Sequence, residues 1–235
     1  MSLVSNLFLL FVAASILIYY IVPRKSQWIV LLIFSYLYYI AGGPRYVVFI
    51  LFSTLVTWLM ALLIEKAEGK ENHKGARKLL ILGLILNFGM LGIVKYTNFA
   101  VENINALLHL NLRGIQLLLP LGISFYTFQS SGYLLDVYWK RCKAERHPLK
   151  YALFVSFFPQ ILQGPIGRYS RLADQLYAEH RFEGNNIIRG FERILWGFFK
   201  KMILADWAAA FADAIFEDPA KYTICVYLAG SSVIK

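Results

Sequence analysis

Five apolar runs, separated by short and mostly basic loops, constrain this 235-residue chain more than any other feature. They lie at 3–22, 28–40, 46–64, 79–94 and 117–135. A straight membrane helix needs roughly 20 apolar residues, and most of these runs approach that length. Composition points the same way. The chain is 58% hydrophobic and only 16% charged, whereas soluble domains carry about 25% charged residues. Mean hydropathy is +0.54. The expected fold class is therefore all-α: a polytopic integral membrane helical bundle, one unit over residues 1–235, with lipid in place of water as its outer solvent.

The formal net charge is +10. In a soluble protein such a balance points to nucleic acid. Here the positive charges cluster in short loops beside apolar runs, where they orient the chain and meet anionic headgroups. The expected partner is the lipid bilayer, and no nucleic acid. With the N-terminus outside, the first, third and fifth loops face the cytoplasm and carry twelve Lys and Arg, against three in the second and fourth. The expected arrangement is multi-pass in a membrane, with an extracytoplasmic N-terminus. The first run lacks a basic n-region and a small-residue cleavage site, so it reads as a span and not a cleavable signal.

Between the runs, residues 65–78 read as a charged loop and 95–116 as an amphipathic interfacial helix. Residues 136–150 read as a second basic loop, with Asp136 paired to a loop arginine. Residues 168–186 read as a polar surface stretch. Residues 187–216 are long and helical; the first half is expected at the interface. The second half, from about Phe198, is expected to enter the bilayer with Asp206 and Asp213 facing protein or a cavity, Asp206 being paired to Lys200 or Lys201. A final apolar run, 222–234, is too short to span, so the chain reads as cut in mid-helix.

One segment departs from the pattern. PLGISFYTFQSSGYLLDVYW (120–139) is apolar but carries Ser124, Thr127, Gln129, Ser130 and Ser131. After the basic loop, YALFVSFFPQILQGPIGRY (151–169) is apolar for too short a distance. Pro159, Gly164-Pro165 and Gly167 interrupt it. Irregular backbone survives at membrane depth only when buried in protein or lining a polar cavity. Residues 151–169 are therefore expected to enter the membrane without crossing it, presenting Gln160, Gln163 and Arg168. Gln129, Gln160 and Gln163 either line a channel or bond helix to helix. Arg168 either meets an anionic ligand or snorkels to the interface. Lys200 and Lys201 meet either a ligand's phosphates or lipid headgroups.

Cys142 and Cys225 are far apart and accompany no ligand cluster, so no metal site and no disulfide framework is expected. None of the four histidines (His73, His109, His147, His180) lies in an apolar run, and each is expected at the surface or the interface. No Ser-His-Asp or H-E-x-x-H pattern is present.

Three blocks, PLGISFYTFQSSGYLLDVYW, FVSFFPQILQGPIGRYSRLADQL and GFERILWGFFKKMILAD, occur in order over roughly residues 110–215. They resemble the membrane-bound O-acyltransferase family, in particular its bacterial alginate O-acetyltransferase and D-alanyl-transfer branch. The resemblance implies a many-helix enzyme of the bacterial plasma (inner) membrane. Such enzymes move an acyl group, acetyl in this case, from a cytoplasmic thioester (acetyl-CoA or an acyl carrier) to a hydroxyl of an extracytoplasmic polysaccharide or cell-wall polymer. It implies no bound cofactor, and an acyl-carrier or secreted acetylation protein as a further partner. It also implies a catalytic histidine in a later block that has no match here. No catalytic residue is therefore assigned within the chain, the expected histidine lies beyond Lys235, and the 235 residues alone are expected to be inactive. The broken helix also fits a transporter-like protein or a non-catalytic membrane subunit. A transporter should show paired broken helices in two related halves, and no repeat is evident.

Overall fold

The computed structural model describes residues 6–108, 120–161 and 164–217. These residues are mostly helical, and no strand occurs among them. The chain divides into two compact units, Met1–Arg181 and Phe182–Lys235.

The first unit begins with α1 (Asn6–Ile21), which stops just before Pro23. Proline cannot continue a helix, and it biases the preceding residue away from helical dihedrals. After a single 3-10 turn comes α2 (Gln27–Gly42), ended at Gly43-Pro44. Helix α3 follows (Val47–Glu68), then α4 (His73–Leu108). Next come α5 (Ile123–Tyr138), α6 (Pro148–Ser156) and α7 (Tyr169–Tyr177). The second unit holds α8 (Gly184–Phe199), a π-helical turn over Lys200–Ala205, and α9 (Asp206–Glu217).

Two segments, Pro44–Glu68 and His73–Leu107, are helices long and apolar enough to cross a membrane. Helices α1, α2 and α5 have 16 residues each, about 24 Å at 1.5 Å per residue. Residues 3–5 and 117–119 of the expected runs, and the whole of 222–234, lie outside the described residues.

Two expectations are corrected. The charged loop at 65–78 is only a four-residue turn, because α3 runs on to Glu68 and α4 starts at His73. Asn72 makes this possible: its side-chain oxygen accepts the Gly75 amide at 2.9 Å, an N-cap bond at the third helical position. The separate interfacial helix expected at 95–116 is instead the continuation of α4 to Leu108. No glycine or proline interrupts 93–108, and its polar side chains turn back on their own helix. Thr97 donates to the Ile93 carbonyl, and Asn103 to the Phe99 carbonyl at 2.6 Å.

The first unit buries polar groups among its apolar core and exposes many apolar side chains. Leu10, Leu17, Ile21, Val48, Leu51, Leu55, Ile85 and Ile93 are exposed, whereas Ser53, Thr54, Thr57, Asn87, Thr127, Gln129, Ser130 and Ser131 are buried. In lipid, helix association draws on polar bonds and close packing rather than on apolar burial. Asn87 is the tie between α3 and α4. It accepts from Ser53 at 2.6 Å and donates to Thr57 at 2.9 Å. Gly83 lies where α4 meets α3 and α5; a Cβ there would stand 2.9 Å from Leu134 and 3.3 Å from Met60.

Candidate functional site

The broken segment is built around an unfinished helix end. Helix α6 opens with Pro148 at its first position, where a missing amide costs nothing. It closes after only nine residues because Pro159 supplies no amide to the last turn. The last carbonyls of any helix need partners from elsewhere. Gln129 of α5 provides one, its Nε2 donating to the Phe154 carbonyl at 3.0 Å. The Phe158 amide, which would have closed onto that carbonyl, donates instead to Ser35 Oγ of α2 at 3.2 Å. The chain then turns over Phe157–Ile161, with the Ile161 amide on the Phe157 carbonyl at 3.1 Å.

Gly122 makes that turn possible from the other side. Its φ is +67°, and a Cβ on it would stand 2.5 Å from the Ile161 carbonyl oxygen. Both the left-handed backbone and the close approach require glycine. Gln160, half-buried, folds inward and donates to the Pro165 carbonyl, with Gly167 seated against its amide. Gln129 thus binds a carbonyl of the α6 end, and Gln160 one of the irregular chain beyond it. Arg168 is exposed; its carbonyl accepts the Arg171 and Leu172 amides at the start of α7, and its guanidinium forms no ion pair among the described residues. Gln163 lies outside the described residues.

Behind the turn stands a buried aromatic cluster. Tyr133, Tyr151, Phe154 and Tyr169 pack ring against ring, with Tyr133 4.7 Å from both Tyr151 and Tyr169. Above it the basic loop folds back over the bundle. Glu145 is its hub. The Glu145 amide donates to Tyr133 Oη at 2.8 Å, its Oε2 accepts from Tyr169 at 2.6 Å, and its carbonyl accepts from Trp58 at 2.9 Å. Glu65 of α3 accepts the Ala144 amide at 3.1 Å and pairs with Arg146 at 2.5 Å. Glu68 pairs with Lys140 at 3.1 Å and with His73 at 2.9 Å. Acidic groups are ill placed at a helix C-terminus, and the loop's cations offset them. As expected, Asp136 pairs with a loop arginine, Arg141, at 3.6 Å.

Between this loop and α7 lies an open groove of about 420 Å³, edged by Arg141, Lys143, Arg146 and Asp174 over Tyr169 and Tyr177. Cys142 sits in it half-buried, and burial pushes its thiol up to about 11, with Asp136 and Glu65 adding to the shift. The three described histidines lie on the exposed periphery. His73 pairs with Glu68, His180 shares a 2.8 Å bond with Tyr19, and His147 sits edge-on to Trp28; His109 lies outside the described residues. Among the described residues no group of His, Cys, Asp and Glu is arranged to hold a metal. The arrangement holds an irregular chain in a buried polar setting and presents a mixed-charge groove. Glu145, Tyr169 and Asn87 escaped the sequence reading. The partners that tie them to other elements are 12 or more residues away, and only the short acidic interruption of a basic loop hinted at Glu145.

Curated relatives match this chain over most of its length. It is 34% identical over 220 residues to a probable alginate O-acetylase AlgI of Pseudomonas aeruginosa, covering 90% of this chain and 41% of that protein. A second probable alginate O-acetylase AlgI, from Azotobacter vinelandii, is 33% identical over 220 residues, with 90% and 43% covered. The peptidoglycan O-acetyltransferase of Helicobacter pylori is 33% identical over 216 residues, with 81% and 40% covered. The chain therefore spans about two fifths of the length of the curated relatives it matches. The resemblance to bacterial O-acetyltransferases seen in the three sequence blocks is borne out. No protein-family profile matches the chain, and no solved structure matches it.

Proposed function

We propose that this chain forms the scaffold part of a polytopic membrane O-acetyltransferase. In this reading the complete enzyme moves an acetyl group from a cytoplasmic thioester, acetyl-CoA or an acyl carrier, to a hydroxyl of an extracytoplasmic polysaccharide or cell-wall polymer. The observation that carries it is identity at about one third over 90% of the chain to a named O-acetylase. The structure adds a polar interior with a broken helix, the kind of backbone tolerated at membrane depth only around a cavity or within protein. A hydroxyl is a weak nucleophile and needs a base of near-neutral pKa to remove its proton. No described histidine lies in the buried interior, so the base comes from outside the described residues. This chain contributes the turn at 157–161 and, on the donor side, the groove edged by Arg141, Lys143 and Arg146.

A chimera tests this. The matching region of the Pseudomonas aeruginosa relative is replaced by these 235 residues, and O-acetyl groups on secreted alginate are quantified in a strain lacking the native gene. Restored acetylation, reduced when Lys143→Glu and Arg146→Glu reverse the groove's charge, is the expected result. A chimera that inserts at the native level and acetylates nothing would sink the proposal and favour a non-catalytic membrane subunit. The 235 residues expressed alone should give no acetylation.

A further inference from the structure

Helix α8 is segregated around its axis. At 100° per residue, Ile187, Ile188, Phe191, Ile194, Leu195, Phe198 and Phe199 fall within an arc of about 140°. Arg189, Arg193 and Lys200 cluster on the opposite side. None of its side chains is buried; Ile188, Phe191 and Leu195 are each more than half exposed. Among the described residues Arg189, Arg193 and Lys200 form no ion pair, whereas the neighbouring Lys201 is neutralised by Asp206 at 2.7 Å. Trp196 lies at the border of the two faces, stacked on Phe199 with ring centroids 5.1 Å apart and with Lys200 Nζ 5.3 Å from its ring.

We infer that α8 lies in the plane of the membrane, its apolar arc in the headgroup–acyl boundary and its basic face drawn to anionic lipid headgroups. Three features favour lipid over a protein partner. The arc contains only large side chains, whereas helices that pack on helices in membranes use small ones; Gly190 and Gly197 both fall outside it. The opposite side carries three cations, and the one acid of α8, Glu192, lies at its edge beside the arc; such a net positive face is rewarded by an anionic lipid surface and not required by an apolar protein contact. An aromatic–cation stack at the border suits the interface, where tryptophan concentrates. The π-helical turn then shifts the phase of the helix, so that α9 starts from a different face. This inference rests on the chain's being in a membrane and not on its transferring an acyl group.

The experiment uses the whole chain with Cys142→Ser and Cys225→Ser, a bimane label at Phe191→Cys, and phosphatidylcholine nanodiscs with or without phosphatidylglycerol. A second label at Leu55→Cys, on exposed α3, reports whether the bundle itself is in lipid. The expected result is quenching at 191 by lipids brominated near the headgroup, less by lipids brominated deep in the chain, and little by aqueous iodide. That pattern corresponds to a depth of about 5–10 Å. Brominated phosphatidylglycerol should quench several-fold more per mole than brominated phosphatidylcholine, and Arg189→Gln, Arg193→Gln and Lys200→Gln together should abolish that preference. Protection at 191 from every quencher would overturn the inference in favour of protein packing. Dominant iodide quenching would overturn it in favour of water. Equal quenching by the two lipids would overturn the anionic preference. Iodide quenching at 55 would overturn the membrane placement on which it stands.

Discussion

Helices α5 and α8 have the same length, 16 residues, and opposite fates. Ten side chains of α5 are buried, and none of α8. The burial of α5 includes Thr127, Gln129, Ser130, Ser131 and Asp136, so polarity is no guide to exposure here. In α5 polar and apolar groups are mixed around the axis, and neighbouring helices enclose it on several sides. In α8 they are separated into two faces, the pattern of an element that sits on a boundary. Segregation, more than hydrophobicity, distinguishes an enclosed helix from a boundary helix.

The largest effect should come from the contact that fixes the entry to α5. Gly122→Ala places a Cβ against the Ile161 carbonyl and forces a residue other than glycine into the left-handed region. The cost is about 3 kcal/mol, since local strain of this kind runs about 1–3 kcal/mol before any clash is added. Thermal unfolding in detergent should show a much lower midpoint, and Gly122→Val should yield no monodisperse protein. An unchanged midpoint for Gly122→Ala would mean that the turn at 157–161 is not held by this approach.

Next in size is the α3–α4 tie. Asn87→Leu strands the Ser53 and Thr57 hydroxyls, costing about 1–2 kcal/mol. Adding Ser53→Ala and Thr57→Val should recover most of that loss, because removing all partners leaves nothing unsatisfied. A triple variant no more stable than Asn87→Leu alone would show that packing, and not hydrogen bonding, dominates this crossing.

These two sites mark what was legible in the sequence. The helical class, an interruption at Pro159, the Asp136–arginine pair and the pairing of Asp206 with Lys200 or Lys201 could all be read from local pattern, because each depends on residues close in sequence. The α4 boundaries could not, since the competing signals at 95–108 were polar residues that turned out to bond along their own helix. Gln129, read as a channel-lining or helix-bonding residue, sits on a helix-end carbonyl 25 residues away. The loop platform was invisible for the same reason: Glu65 meets Arg146 across 81 residues, and nothing in composition encodes such a pairing.

A smaller, chemical effect tests the folded loop. With its thiol raised to about 11 by burial, Cys142 is protonated at neutral pH. The thiolate is the reactive form, so maleimide should label it roughly a hundredfold more slowly at pH 8 than an ordinary exposed thiol. The rate should rise about tenfold per pH unit toward pH 10. Glu145→Ala removes the carboxylate that anchors the loop to Tyr169, and should speed labelling by exposing the thiol. Fast labelling of the native chain at pH 8 would show the loop to be open rather than folded over the bundle.

The smallest effect is expected on the exposed apolar arc of α8. Phe191→Ser and Ile194→Ser remove two large side chains from the arc of α8. In a soluble protein's core each would cost several kcal/mol. Here neither is buried in protein, so the first unit's unfolding midpoint should move by no more than about 0.5 kcal/mol equivalent. The same substitutions should weaken lipid quenching of a label at 195. The pair of results separates two meanings of an apolar side chain: in α5 its loss is felt by the fold, and in α8 by the boundary the helix lies on. A large loss of first-unit stability would instead place α8 among the packed helices, and the contrast between α5 and α8 would disappear.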